Sequence, residues 1–329
     1  MSPVDILKAL PSLSVLVVGD VCLDRWCRYD PTLAEPSRET GIPRIAVISR
    51  EMTPGAAGTV ASNLKALGVG RVAILGVRGD DGNGYELMQA LASRDIDSSA
   101  ILMAPELPTF TYTKLINDTD SVEDRPRVDF VFTGDIPTAV ESAVVERLLA
   151  LAPSFDVIIV SDQAETESGG LVTARVREAL TSIAAAQPSK IIWVDSRRRG
   201  AFYRNVLVKL NEQEAEESCL AFFGELDYQA LRQRIGHSTL IVTKGPKGAV
   251  IVEEGSTRTV ETRPVEHPVD ICGAGDSFNA GASVALALTG DAAPAVEFGN
   301  LVASITIMKP GTGTASPDEV LAAAAALRK

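Results

Sequence analysis

Cysteine and histidine are scarce in this chain: four cysteines and two histidines occur in 329 residues. Cys22, Cys27, Cys219 and Cys272 form no Cys-x-x-Cys pair, and His237 and His267 stand apart from them. A structural zinc site and a disulfide-stapled scaffold are therefore both excluded, and the expectation is a reduced, cytoplasmic protein with buried thiols. Long hydrophobic runs are also missing. No apolar stretch reaches the about 18 residues of a membrane span, and the first one, residues 15–18, follows polar, proline-containing sequence unlike a signal peptide. Basic residues are in deficit, 31 Lys+Arg against 43 Asp+Glu for a net charge of -12. A phosphate backbone would be repelled at long range, so neither nucleic acid nor membrane is an expected partner. With 46% apolar and 22% charged residues, the composition is that of a folded chain.

Short β-branched runs alternate with helical periodicity. Residues 15–18, 72–75, 157–160, 191–194, 206–208, 240–242 and 249–252 read as buried strands. Residues 60–67, 85–93, 139–150, 171–186, 228–234, 277–288 and 292–308 read as helices, and the Ala-rich 321–329 as a last one. The rhythm predicts right-handed βαβ crossovers and an α/β fold with a doubly wound, mostly parallel sheet. Segments of about 24–53 and 106–132 break it with strict alternation, as in Thr109-Phe-Thr-Tyr-Thr-Lys114 and Arg127-Val-Asp-Phe-Val-Phe132. They are expected to be antiparallel excursions that pair into a small β-strand lid over the strand ends, inserted in one domain of residues 1–329.

The most informative stretch is Asp270-Ile-Cys-Gly-Ala-Gly-Asp-Ser-Phe278, followed by a helix of small residues. Glycines just before a helix let backbone N–H groups converge where the helix dipole is positive, which makes an anion site. Asp276, directly after the turn, could accept a proton from a hydroxyl attacking phosphorus, or simply cap the helix. Without further context the Glu212, Glu214, Glu216 and Glu217 cluster reads as a solvated helix start. Likewise the glycine turn Thr243-Lys-Gly-Pro-Lys-Gly248 could close any α/β strand.

These residues together resemble the ribokinase or PfkB family of carbohydrate kinases, whose signature Asp-Thr-x-Gly-Ala-Gly-Asp-x-Phe is matched at Asp270, Gly273, Ala274, Gly275, Asp276 and Phe278. Matches also fall in the family's order at Gly19-Asp20 with Asp24, at Thr53-Pro-Gly-Ala-Ala-Gly-Thr-Val-Ala61, at Asn211-x-x-Glu214 and at 243–248. Within the family the chain is most similar to the heptose 7-phosphate kinases, through Val18-Gly-Asp-Val-Cys-Leu-Asp-Arg25, Thr113-Lys-Leu115 and Lys309-Pro-Gly-Thr-Gly-Thr-Ala-Ser316. It departs from them at Ala56, at Thr59 and at Ser161-Asp-Gln-Ala-Glu-Thr166.

The resemblance implies an ATP- and Mg²⁺-dependent phosphotransferase acting on a sugar or sugar phosphate. Asp276 would be the base, and Gly273, Ala274 and Gly275 would supply N–H groups to the transferring phosphoryl group. Asn211, Thr243, Gly245, Gly248 and Asn300 would contact the nucleotide, and Glu214 would organise Mg²⁺ through water. Asp270, with Gly311, would border a monovalent cation such as K⁺. Asp24, Gly55, Gly58, Thr59 and Asn63 would receive the sugar; Lys114, Arg127 and Arg197 would anchor a phosphate already on it. The lid would also serve a homodimer. The competing readings are a non-catalytic sugar or nucleotide sensor and a kinase for a free sugar such as ribose or fructose. A nicotinamide dehydrogenase would need Gly-x-Gly-x-x-Gly after the first strand, where this chain has Val18-Gly-Asp-Val-Cys-Leu23.

Overall fold

Val15, Leu16, Val17 and Val18 are all fully buried, because helices cover both faces of their strand. Alternate residues feed two separate cores: Val15 and Val17 enter one, Leu16 and Val18 the other, and Val157 and Ile159 divide from Ile158 and Val160 in the same way. The computed structural model describes residues 1–164 and 169–326.

Along the chain run α1 (Pro3–Ala9), β1 (Ser14–Gly19), β2 (Val21–Tyr29), β3 (Val47–Ala56), α2 (Ala57–Leu67), β4 (Arg71–Leu75), β5 (Val77–Arg78), α3 (Gly82–Ala92), β6 (Leu102–Met103), β7 (Thr111–Asn117) and β8 (Val128–Phe130). Then follow α4 (Thr138–Leu151), β9 (Val157–Asp162), α5 (Ala174–Ala186), β10 (Ile191–Ser196), β11 (Leu207–Asn211), α6 (Glu212–Phe223), α7 (Tyr228–Ile235), β12 (Thr239–Thr243), β13 (Ala249–Glu253), β14 (Ser256–Val260), α8 (Ala274–Thr289), α9 (Ala292–Thr306) and α10 (Pro317–Ala326). The main sheet has the order β14-β13-β12-β11-β10-β9-β1-β4. It is parallel from β4 to β12 and antiparallel only at β13 and β14. Asp20, Asp162, Asp195, Asn211 and Thr243 therefore gather at one edge, where the strands end, as open α/β sheets place their ligands. Among the described residues no helix is long and apolar enough to cross a membrane.

A second sheet, β3-β2-β7-β8, lies over that edge. Only Asp20 separates β1 from β2, so the chain passes directly from one sheet into the other. Each excursion is antiparallel as expected, β2 with β3 and β7 with β8, and the seam between them, β2 with β7, is parallel. The two excursions join side by side through their first strands, a pairing that alternation within either segment cannot encode. Boundaries shift as well. The helix expected over 171–186 begins at Ala174, where Thr173 Oγ1 caps Val176 N at 3.3 Å. Helix α1 and strand β14 went unread as elements; the expected last helix over 321–329 is α10, which begins earlier at Pro317, and residues 327–329 lie outside the described residues.

The small residues of α8 are accounted for by helix packing. A Cβ at Gly281 would stand 2.9 Å from Val302 Cγ2, and one at Gly299 would stand 2.9 Å from Phe278 Cδ2, so α8 and α9 approach to near backbone contact. Any larger side chain there forces the helices apart. This tight pair holds the start of α8 against the sheet edge.

Candidate active site

Gly273 precedes α8 in the left-handed conformation (φ 75°), and a Cβ there would come within 3.2 Å of Thr312 and 3.3 Å of Thr59. A side chain is thus disfavoured by both torsion and space. The N–H groups of Gly275 and Asp276, in the first turn, have no intrahelical acceptor. Ala274 differs from the expectation that all three turn residues donate, because its N–H is already bonded to Ile271 O at 3.2 Å.

Asp276 faces a cavity of about 140 Å³ whose lining includes Asp24, Thr59, Lys114, Arg127, Arg197 and Gly273. Seven expected site residues from distant stretches of chain are thereby brought together. One side of the Asp276 carboxyl opens on this cavity while protein crowds the rest. Burial, followed by repulsion from Asp195, raises its pKa to about 8; Lys209 opposes the shift, Asp24 adds to it and Arg197 opposes it. Burial likewise raises Asp24 to about 6 against the pull of the Cys22 thiol, Lys114 and Arg127. The cavity thus holds two carboxyls with a high proton affinity, the condition for a base that works near neutral pH.

Beneath the turn lies a charged network that sequence reading missed. Lys209, in the middle of β11 and only 4% exposed, pairs with Asp195 Oδ1 at 3.2 Å. Asn279 Nδ2 donates to Asp195 Oδ2 at 2.5 Å, and Trp193 Nε1 donates to Asn279 Oδ1 at 3.0 Å. A Cβ on Gly275 would be 3.5 Å from Lys209 Nζ. The ammonium therefore sits next to the turn; burial opposes its charge, and Asp195, Glu214 and Asp276 outweigh it. A lysine interrupting the apolar run Leu207-Val-Lys-Leu210 was the available signal.

The lid cations are partly neutralised in place. Lys114 lies 3.5 Å from Glu123 and Arg127 lies 3.0 Å from Asp129. The Arg127 guanidinium also covers the Tyr112 ring at 5.1 Å, and Arg197 Nε donates to Gln163 Oε1 at 2.9 Å. Cys272, expected to be buried, is half-buried and lines the cavity beside Gly273.

Three sugar-side expectations are corrected. A Cβ at Gly55 would fall 2.3 Å from Asp24 Oδ1, so this glycine makes room for a carboxylate rather than for substrate. The space at Gly58 is filled by Pro54, whose Cβ would be 2.4 Å away. Asn63 is fully buried, donates back to Thr59 O at 3.0 Å and does not line the cavity. It occupies the face of α2 turned to the core, which spacing from Thr59 does not reveal.

On the nucleotide side, Asn211 and Glu214 form a reciprocal helix cap. Asn211 Oδ1 accepts from Glu214 N at 2.8 Å and Glu214 Oε2 accepts from Asn211 N at 2.7 Å, as in a capping box. Burial nonetheless raises the Glu214 carboxyl to about 7, against the attraction of Lys209. Gly245 (φ 55°) has open space around it, whereas a Cβ at Gly248 (φ 84°) would strike Val260 O at 2.1 Å and lie 2.9 Å from Thr262 N. Thr243 Oγ1 is bonded to Leu210 O at 3.3 Å. Asn300 lines a different cavity, of about 380 Å³, with Thr262, Phe298 and Leu301, and its Nδ2 is buried without a partner among the described residues. Thr262 connects that cavity to the 243–248 turn. Asp270 accepts from Cys272 N at 2.9 Å and from Gly311 N at 3.1 Å. Glu165 and Thr166, part of the 161–166 stretch compared above, lie outside the described residues.

Residues 13–319 match the model of the pfkB family carbohydrate kinases. A curated relative from Chromohalobacter salexigens, "Bifunctional protein HldE", is 31% identical over 96% of this chain and 64% of its own length, and a namesake from Rhodopseudomonas palustris (strain BisA53) is 30% identical over 95% and 63%. The chain thus spans somewhat under two thirds of the relatives it matches. Among solved structures, Giardia lamblia ribokinase superposes with a TM-score of 0.71 at 19% identity, over 94% of this chain and 99% of that one. Arabidopsis thaliana ribokinase, complexed with ribose and ATP, gives a TM-score of 0.67 at 16% identity, over 95% and 98%. Both are similar in fold.

Proposed function

We propose, from the premise that the chain belongs to the pfkB family carbohydrate kinases, that it transfers the γ-phosphoryl group of ATP to a hydroxyl of a sugar or sugar phosphate, with a heptose 7-phosphate as the leading candidate. The observation that carries this reading is Asp276: a carboxyl of raised proton affinity, on the first turn of α8, facing a cavity shared with Asp24. The acceptor hydroxyl gives its proton to Asp276 as its oxygen bonds to phosphorus and the bond to the bridging oxygen of ADP breaks. Charge on the transferred group meets the N–H groups of Gly275 and Asp276 and, from below, Lys209. Asp24 orients the sugar by accepting from its hydroxyls, with Thr59 beside it.

ATP would lie along the strand ends from this turn past Asn211 and Gly245 toward Asn300. Magnesium, bound with ATP, would neutralise phosphate charge. No group of three His, Cys, Asp or Glu side chains among the described residues is placed to ligate a metal directly, which fits an ion held by water and phosphate with Glu214 behind it. The carboxyl of Glu214 is reluctant to ionise and would gain from a nearby cation. Asp270, tied to the Gly311 loop, is the anion a potassium ion would use; activity in potassium against tetramethylammonium chloride checks this. Lys114, Arg127 and Arg197 border the cavity and support an acceptor that carries a phosphate. Val47, Ile48, Val128 and Phe130 on the outer strands of the lid are about half exposed, which supports pairing of two lids in a homodimer; sedimentation equilibrium tests it.

The deciding experiment is ADP release over a panel of free sugars, hexose phosphates and heptose phosphates. Stimulation by a sugar phosphate supports the reading, and a free sugar as the better acceptor moves it to a plain sugar kinase. ATP binding without turnover on any of them makes the protein a sensor.

A further inference from the structure

The lid face that borders Asp276 runs on beyond the acceptor cavity. Strand register sets its side chains in rows. Asp24 and Tyr112 form one row and face the acceptor cavity. Trp26 and Lys114 form the next and line both that cavity and a second space of about 470 Å³. Arg28, Ser49 and Ile116 form a third row, which of the two spaces lines only the second. From Asp24 to Arg28 the strand advances about 13 Å. Across from these rows stands the 310–312 loop, whose Gly311 (φ 66°) runs against the Trp26 indole; a Cβ on it would be 3.3 Å from Trp26 Cζ2. Thr53 Oγ1 and Thr312 Oγ1, 3.4 Å apart, join the lid to that loop.

The two spaces differ in charge. Around the first, Arg25, Lys114, Arg127 and Arg197 outnumber the carboxyls of Asp24 and Asp276. The second is balanced: the charged residues lining it among those described are Arg28, Arg50 and Lys114 against Glu51, Glu123 and Asp270. Each of these cations also has a carboxylate already, Arg28 with Asp118 at 3.5 Å, Arg50 with Glu86 at 2.8 Å and Lys114 with Glu123 at 3.5 Å. A phosphate entering would meet no net positive charge and would compete with those carboxylates. A neutral polyol meets the opposite situation. Carboxylates accept from its hydroxyls, and cations and the hydroxyls of Ser49, Ser121 and Thr312 donate to them. The Trp26 indole adds an apolar surface whose negative π-face suits the C–H side of a sugar ring.

We propose that this space is a subsite for a second, uncharged sugar ring, joined to the acceptor sugar by a glycosidic bond and lying against Trp26. The proposal rests on the sugar-kinase reading and deepens it, because the acceptor becomes a disaccharide that spans the three rows of the lid. A phosphate on the same acceptor belongs with Arg127 and Arg197, which of the two spaces line only the first.

The test is calorimetric titration of methyl glycosides of glucose, galactose, mannose and heptose, of their terminal phosphates, and of α- and β-linked disaccharides containing the same sugars, with the nucleotide site saturated by a non-hydrolysable ATP analogue and magnesium. Covering one ring face against the indole should make at least one disaccharide about tenfold tighter than its methyl glycoside. Ser49→Trp, at an exposed position of the lid edge strand, should fill the second space and erase that advantage while methyl glycosides and sugar phosphates bind as before. Trp26→Leu should weaken the disaccharide more than the methyl glycoside. Disaccharides no tighter than methyl glycosides, or an advantage that survives Ser49→Trp, overturns the subsite. A sugar phosphate that loses affinity in Ser49→Trp gives the space to a phosphate, and a dimer that dissociates in Ser49→Trp with disaccharide binding untouched gives it to a second copy of the chain; both overturn the proposal. ADP release on the same compounds separates the two readings. Turnover on single sugars without a disaccharide advantage leaves the kinase without the subsite, and disaccharide binding without turnover on any compound keeps the subsite in a sensor.

Discussion

The two sheets of this protein face water differently, and their chemistry follows from that. In the main sheet, β1 and β9 are sealed on both faces, and the charges admitted beneath the α8 turn, Lys209 and Asp195, are paired and further tied to Asn279. In the lid, β3 has a run of exposed residues and β8 is mostly exposed, and its cations Lys114 and Arg127 hold loose surface pairs. On the proposed reading, phosphoryl chemistry would rest on a buried, paired set of charges, and acceptor recognition on side chains that water can re-solvate. The first should be intolerant of change and the second tunable.

The largest effect that sharpens this contrast is expected from Asp276→Asn, which keeps size and removes basicity. Steady-state kcat should fall by ~10² to 10⁴ with nucleotide affinity nearly intact; undiminished turnover would reduce Asp276 to a helix cap. Next comes Lys209→Met, which leaves Asp195 buried without its cation. Urea unfolding should show a loss of about 3–5 kcal/mol, and a loss under about 1 kcal/mol would mean that the network is not interdependent.

On the acceptor side, Lys114→Ala, Arg127→Ala and Arg197→Ala should each be assayed with a phosphorylated and a free sugar. A true phosphate anchor should raise KM about ten- to hundredfold for the phosphorylated sugar only, with ATP unaffected. Equal loss on both acceptors would assign these cations to lid structure instead.

The pH dependence tests the raised carboxyl directly. A base is active when deprotonated, and Asp276 in the free protein holds its proton up to about pH 8. Therefore kcat/KM should climb roughly tenfold per pH unit below that point and level off above it. The stability linkage has the opposite sense, since the folded state binds the extra proton between the ordinary carboxylate range and about 8, so this group's contribution favours the fold at low pH and is lost as pH rises. A kcat/KM profile flat from pH 6 to 9 would remove the raised Asp276 carboxyl as the base, whereas a flat kcat beside a sloping kcat/KM would show that substrate binding resets the group. The smallest effect belongs to the lid surface: Ile48→Thr should change unfolding of the monomer by no more than about 0.5 kcal/mol, against about 2–5 kcal/mol for Ile159→Ala in β9. Two comparable values would end the contrast between the sheets.

The amino-acid sequence alone determined the doubly wound sheet and the anion turn. Unbroken β-branched runs such as 157–160 can be stable only when covered on both faces, and glycine flanking a helix start next to Asp276 is a local arrangement whose consequence is local. The family resemblance, carried by the same stretches, added the nucleotide side as an expectation. Only the tertiary structure decided the rest. Gly55 and Gly58 read as openings for substrate, yet Asp24 and Pro54 fill them, because what lies opposite a glycine is chosen by another strand. Asn63 looked like a replacement ligand one turn beyond Thr59, but the packing of α2 turned it into the core. Lys209, Asp195 and Asn279 are far apart in the chain and each is unremarkable in its own segment; they matter because folding puts them in one poorly solvated space, where a charge is costly until its partner arrives. Periodicity reports which face of an element is buried, and burial by itself does not say which distant side chain will share that face.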